Sequence, residues 1–207
     1  SCFFLLGLFD DIYDFSPFLR LFIQFIISIL LWANEIKLDV SDFSSFGFSH
    51  NSIITSEWIV ILIMFFWVSG VVNAINWIDG LDGLASGVTL ISSFGFLIIS
   101  LIRGQFELSI ISFILIGICF AFLRYNKNPA SILMGDCGSN LLGFMLAFMG
   151  FLSCQNNYDS NIQIGTENNY ILSNIYYSII ILLVPLLDMV KVILKRIFLR
   201  KSPFFPD

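Results

Sequence analysis

Asn73, Asn76, Asp79 and Asp82 bring four oxygen-bearing side chains into one short stretch, N-A-I-N-W-I-D-G-L-D-G-L-A-S-G, from Asn73 to Gly87. They close an apolar run, Trp58 to Val72, that carries no charge at all. Ionisable groups at the edge of such a run are costly to desolvate, so they mark sites more often than filler. Glycines at 80, 83 and 87 permit a tight turn or the close approach of a ligand. Oxygen donors in this setting suit a hard cation and the phosphates it carries. Asp79 and Asp82 are three apart, so on a helical turn they share a face. An EF-hand loop would need another Asp spacing and a closing Glu, which are absent. A polar helix cap explains one or two of these residues, but poorly explains four together with three glycines.

Three further segments carry chemistry. D-D-I-Y-D, Asp10–Asp14, follows an apolar helix end. Adjacent carboxylates there point in different directions, so Asp10 and Asp11 need not share a job. The plain alternative is a solvated helix terminus. Arg20, just inside the next apolar run, either snorkels to the lipid interface or pairs with a phosphate. M-G-D-C-G-S, Met134–Ser139, sets Asp136 between two glycines at a helix start, where unpaired N–H groups attract anions. Taken alone it also fits a simple N-cap. Lastly, Lys191, Lys195 and Arg196 follow a run in which Pro185 is placed to kink the helix. A basic juxtamembrane helix anchors to anionic lipid, and the sequence does not separate that role from attraction of a substrate phosphate.

The elements that must hold these groups are membrane helices. The 207-residue chain is 57% hydrophobic and 12% charged, with a mean hydropathy of +0.90, too apolar for a soluble domain. Spans are expected near Ser16–Ala33, Glu57–Asn76, Leu84–Ile102, Ser109–Leu123, Asn140–Cys154 and Tyr170–Leu187, with Cys2–Phe9 as the end of another. The fold class is therefore an all-α, polytopic transmembrane bundle. Residues 1–207 form one integral-membrane domain of about six spans plus that stub. Alternating sides puts Arg20, Arg124, Lys127, Lys191, Lys195, Arg196, Arg200 and Lys201 together, leaving only Lys37 and Arg103 opposite. The positive-inside rule makes the first side cytoplasmic, and all four chemical segments fall there. Carboxylates gathered with cations on one face point to metal-assisted handling of an anion. No internal repeat favours an inverted-repeat transporter.

Of the connections on the other side, Asn34–Ser56 alternates polar and apolar residues as a short strand or amphipathic turn would. Arg103–Glu107 is tight, and Gln155–Asn169 is Asn-rich and expected to be mobile. The four cysteines lack metal-ligand spacing: Cys2, Cys119 and Cys154 sit in apolar runs, and Cys137 falls in a loop on the reducing side. The chain opens on Ser1 and closes in a basic, Pro-containing segment, so a piece cut at both ends is expected.

In this order, L-L-G-L-F-D-D-I-Y-D with Arg20 and Gln24, N-A-I-N-W-I-D-G-L-D-G-L-A-S-G, G-D-C-G-S-N-L-L-G-F, and P-L-L-D-M with S-P-F-F-P-D resemble the polyprenyl-phosphate N-acetylhexosamine-1-phosphate transferase family. The resemblance spans essentially the whole chain. Bacterial members begin O-antigen, enterobacterial common antigen and teichoic-acid linkage synthesis. Phospho-N-acetylmuramoyl-pentapeptide transferase and the eukaryotic dolichol-phosphate enzyme are more distant relatives. The resemblance implies an inner (plasma) membrane enzyme in which undecaprenyl or another polyprenyl phosphate attacks the β-phosphorus of a UDP-N-acetylamino sugar. The products are polyprenyl-diphosphate-sugar and UMP, with Mg²⁺ or Mn²⁺ as cofactor. By the same resemblance Asp136 is a metal ligand and Asp82 lies close to the ion or its diphosphate. Asp11 orients or deprotonates the lipid phosphate with help from Asp10, and Arg20 sits on the diphosphate. Asn73, Asn76 and Asp79 shape the nucleotide and phosphate pocket. Membrane lipid is the surroundings, no nucleic-acid partner is implied, and a homodimer is compatible.

One departure matters. A His-containing loop follows S-P-F-x-P-D in the family, whereas the sole histidine here, His50, lies in a loop on the other side. His50 is thus expected to be an ordinary surface residue, and this length of chain to be inactive or nearly so. Three rival readings stand beside the resemblance. A Mg²⁺-dependent intramembrane prenyltransferase would suit Asp10–Asp14, but its central carboxylates are four apart rather than three. An intramembrane aspartyl protease would use Asp14 and Asp136 as its dyad, yet would need both within spans. A non-enzymatic transporter would make no covalent product.

Overall fold

The computed structural model describes residues 2–34, 57–154 and 173–200. Within them the chain is helical: α1 Cys2–Tyr13, α2 Pro17–Ala33, α3 Glu57–Ile78, α4 Leu84–Arg103, α5 Phe106–Asn126, α6 Gly135–Cys154, α7 Ser173–Ile181 and α8 Leu183–Phe198. No strand occurs among the described residues. Hydrocarbon offers no hydrogen bonds to a backbone, so apolar segments that cross it satisfy their N–H and C=O groups internally as helices. Of the described helices, α3, α4, α5 and α6 are long and apolar enough to cross a membrane, and α2 is a shorter apolar helix of 17 residues. The protein is a multi-pass membrane protein with an all-α fold.

Local chemistry sets the helix ends. The Ser16 hydroxyl accepts the Leu19 N–H at 3.4 Å, and Pro17 occupies the first turn of α2, where its missing N–H costs nothing. Between α4 and α5 only Gly104 and Gln105 intervene: Gly104 takes a left-handed φ of 68°, and the Gln105 N–H closes on the Ser100 carbonyl at 2.9 Å. The tight connection expected at Arg103–Glu107 is present.

Helix α3 is central and packs on α2, α4, α6 and α8. Met64, Val68, Val71, Val72 and Ile75 of α3 are buried with Leu146, Ala147 and Met149 of α6. The two backbones lie unusually close. A Cβ added to Gly143 would stand 2.7 Å from the Val72 Cα, and one added to Gly150 would stand 2.7 Å from the Trp67 ring. Trp67 Nε1 donates to the Ala147 carbonyl at 3.1 Å across the same seam. Small residues permit this approach where water provides no hydrophobic drive. Helix α1 packs along α6, with Phe3 stacked on Phe144 at 4.6 Å. Outward-facing Phe22, Phe66, Ile91, Phe113 and Phe120 are exposed, as lipid-facing positions are.

Several sequence expectations need correction. α1 continues past Phe9 to Tyr13, and α6 begins at Gly135 rather than near Asn140, so Asp136 stands at a helix start as expected, while Cys137 belongs to that first turn and not to a loop. Within the expected Tyr170–Leu187 span the described residues form two helices that meet at Leu182, the disturbance Pro185 was placed to cause. Pro185 has no N–H to give the Ile181 carbonyl, which instead accepts a long 3.5 Å bond from Ser92 Oγ. The readings for His50, Lys37, most of Asn34–Ser56, Gln155–Asn169 and S-P-F-F-P-D lie outside the described residues.

Candidate active site

The end of α1, the start of α2, the end of α3 and the start of α6 meet at one end of the bundle. Asp10 and Asp11 are neighbours on α1 but point apart, since consecutive helical residues are about 100° apart. Asp10 turns inward and is buried; its Oδ2 accepts from Arg20 Nη1 at 2.8 Å and its Oδ1 from the Phe15 N–H at 2.9 Å. Asp14, at a left-handed φ of 50°, lets the chain reverse so that Arg20 comes back beside Asp10. Arg20 therefore turns inward to the carboxylates rather than snorkelling outward. Its Nη1 also lies 3.6 Å from Asp136 Oδ2, so one guanidinium serves two carboxylates.

Asp11 reaches the other way. Its Oδ1 accepts the Asp136 N–H at 3.0 Å and its Oδ2 the Cys137 N–H at 3.1 Å. These are free donors at the N-terminus of α6, where a carboxylate is also favoured by the helix dipole. Two glycines make the approach possible. Gly7 has no Cβ to collide with the Asp136 carbonyl, and Gly135, at φ 68°, leaves room for the Asp11 carboxylate. Asp136 itself remains 38% exposed, its Oδ1 held by Asn76 Nδ2 at 2.9 Å. The same Asn76 amide donates to Ser139 Oγ at 2.9 Å, tying α3 to α6. Asn73 lies one helical turn deeper, where it donates to Gln24 Oε1 at 3.2 Å and to the Ser69 carbonyl at 2.7 Å. It joins α2 to α3 behind Asn76.

Asp79 and Asp82 share a turn rather than a helical face, because α3 ends at Ile78. Both line a cavity of about 200 Å³ with Asn126, Leu133, Met134 and Gly135. Asp82 is exposed, and its Oδ2 accepts from the Ala130 N–H at 3.0 Å and Asn128 Nδ2 at 3.3 Å. Among the described residues no donor reaches the Asp79 carboxylate. Burial, and then the negative charge of Asp136, push its pKa from 3.8 up to about 6. A carboxylate raised in this way marks uncompensated negative charge, the condition a cation relieves.

The donor set accordingly fits a Mg²⁺ ion. Among the described residues no three His, Cys, Asp or Glu side chains converge as a closed cage. Mg²⁺ needs none, since it keeps several waters and takes one or two carboxylates plus substrate phosphate. Asp136, alone or with Asp79 on the adjoining cavity wall, would supply that number.

Three residues that sequence reasoning passed over hold this site together. Asn126 is buried; its Oδ1 accepts from the Gly83 N–H and Ser86 Oγ, each at 3.1 Å, and its Nδ2 donates to the Ile132 carbonyl at 3.0 Å. It fastens the carboxylate turn and the α5–α6 loop to the end of α5. Asn128 adds the bond to Asp82. The available signal was R-Y-N-K-N-P-A-S, carboxamides closing an apolar run, the same pattern that singled out Asn73 and Asn76. Gly7 offered only a glycine within an apolar helix. Among the described residues of the fourth sequence segment, none contributes these bonds: Asp188 and Lys191 on α8 are exposed.

An all-α membrane bundle carries carboxylates, one arginine and carboxamides around a cavity at one end. Residues 1–153 match the family described as glycosyl transferase family 4, and the chain belongs to that family. It is similar to a probable undecaprenyl-phosphate N-acetylglucosaminyl 1-phosphate transferase of Bacillus subtilis, 32% identical over 98% of this chain and 52% of that protein. It is also similar to a phospho-N-acetylmuramoyl-pentapeptide-transferase of Listeria innocua, 38% identical over 62% of this chain and 40% of that one. A decaprenyl-phosphate N-acetylglucosaminephosphotransferase of Mycobacterium leprae is 38% identical over 66% of this chain and 36% of its own length. The chain spans about half the length, or less, of these curated relatives.

Proposed function

We propose that the whole protein transfers an N-acetylamino-sugar 1-phosphate from a UDP-sugar to a polyprenyl phosphate at the cytoplasmic face of the plasma membrane. A phosphate oxygen of the lipid forms a bond to the sugar-bearing β-phosphorus, the α–β phosphoanhydride breaks, and UMP leaves. The observation that carries this reading is the meeting of Asp10, Arg20, Asn76 and Asp136 beside the cavity lined by Asp79 and Asp82. Phosphoryl transfer is chiefly positioning and charge neutralisation, and this arrangement is suited to both. The names of the relatives, which specify polyprenyl-phosphate acceptors and N-acetylated sugars, support it further.

In this reading Asp136 holds a divalent cation, with Asp79 and Asp82 facing the ion or its diphosphate across the cavity. Bound there, Mg²⁺ would spread the charge that builds on the diphosphate. Arg20, already poised between two carboxylates, turns its guanidinium to a phosphate oxygen. Asp10 holds Arg20, and Asn76 orients Asp136. Asp11 acts through the α6 N-terminus, fixing where Asp136 stands. Asn73 supports Asn76 from below.

The test uses protein extended to the length of its relatives, in detergent with undecaprenyl phosphate and Mg²⁺. UMP release is read across UDP-N-acetylamino sugars and UDP-N-acetylmuramoyl-pentapeptide. Release with one donor, reduced on the order of 100-fold in Asp136→Asn, is the expected result and names the substrate. Release of inorganic diphosphate from an added prenyl diphosphate would favour a prenyltransferase, and no UMP from any donor with folded protein would sink the proposal.

A further inference from the structure

Helix α8 has three unlike faces. Pro185, Met189, Val192 and Arg196 are buried or half-buried on the side where α8 packs on α3. Leu183, Leu187, Val190, Leu194 and Ile197 form an exposed apolar stripe at helical spacing. One residue further round, Asp188, Lys191 and Lys195 form an exposed charged stripe. Protein, hydrocarbon and polar headgroup are the three surroundings that such a helix satisfies at once.

Its depth agrees. Ile181, just before the break, packs against Gly95 of α4, roughly 16 Å of helix from the site end of α4. Lys191 and Lys195 stand roughly 12 and 18 Å along α8. A helix leaving mid-bundle and running along α3 thus brings both lysines to about the level of the carboxylate turn. Among the described residues, the hydrogen bonds and ion pairs of the site do not reach either lysine.

We propose that the Lys191–Lys195 stripe of α8 seats the anionic headgroup of a bilayer phospholipid, whose acyl chains lie on the neighbouring Leu187–Val190–Leu194 stripe. A lipid is the ligand that presents an anion and hydrocarbon side by side, whereas a soluble anion would leave the stripe uncovered. The seat is separate from the transferase site, and its test does not depend on turnover.

The extended protein is placed in nanodiscs of mixed phosphatidylglycerol and phosphatidylcholine, and the lipids it retains are counted by native mass spectrometry. Enrichment of phosphatidylglycerol is expected to fall about fivefold per lysine lost in Lys191→Gln/Lys195→Gln, and to persist in Lys191→Arg/Lys195→Arg and in Arg124→Gln. Unchanged enrichment in the double Gln variant would overturn the proposal, as would an equal loss in Arg124→Gln. Displacement of the retained phosphatidylglycerol by one equivalent of undecaprenyl phosphate would reassign the seat to the substrate and overturn it too.

Discussion

At the scale of single residues, the site separates carboxylates that are alike in sequence. Asp10 neutralises Arg20 from a buried position, while Asp11 caps the helix that bears Asp136. Asp79 differs again: among the described residues no donor reaches its carboxylate, and burial and then Asp136 oppose its ionisation. With a folded pKa of about 6 against 3.8, the folded state holds its proton more tightly than the unfolded chain does. The stabilisation this confers is complete below pH 3.8 and is lost as pH rises through about 6. In EDTA, Asp79→Asn should therefore raise the thermal midpoint at pH 7.5, and the gain should vanish by about pH 4. A midpoint indifferent to the substitution at pH 7.5 would show that Asp79 ionises there without strain. The divergence of Asp10 from Asp11 was legible, because adjacent residues on a helix cannot face one way. Their partners were not legible: Arg20 is ten residues from Asp10, and the Asp136 N–H is 125 residues from Asp11.

At the scale of helices, α3 and α6 present the site from one end of a common seam. The seam fixes how far Asn76 lies from Asp136, and it depends on the bare backbone of Gly143. Gly143→Ala would press a methyl to 2.7 Å from the Val72 Cα, costing about 1–3 kcal/mol. The expected outcome is a lower unfolding midpoint together with reduced UMP release, because a separation of the helices lengthens the Asn76–Asp136 bond. A substitution that left both unchanged would mean that the seam yields without moving the site. Apolar runs in the sequence announced the helices, but not the α7–α8 break at Leu182. Pro185 signalled that disturbance, and helical bonds from the Leu182 N–H to the Ser178 carbonyl and from the Leu186 N–H to the Leu182 carbonyl carry the chain across it as a kink.

At the scale of the whole molecule, segments scattered over residues 10–136 become one surface because helices return them to the same end of the bundle. The negative charge gathered there predicts a ligand-linked stability. Adding Mg²⁺ at pH 7.5 should raise the midpoint of the extended protein by mass action, and should do so much less in Asp136→Asn. Equal shifts in the two would place the cation elsewhere. The composition and the long uncharged runs determined that this chain is a helical membrane protein, since hydrocarbon leaves a backbone few other choices. The motifs likewise determined which carboxylates and carboxamides to watch, since their desolvation cost is a local property. Only the tertiary structure decided that Arg20 bridges Asp10 and Asp136, that Asp11 caps α6, and that Asn126 ties the carboxylate turn to the α5–α6 loop. Those bonds join residues distant in sequence, and no local pattern encodes a distance that packing alone sets.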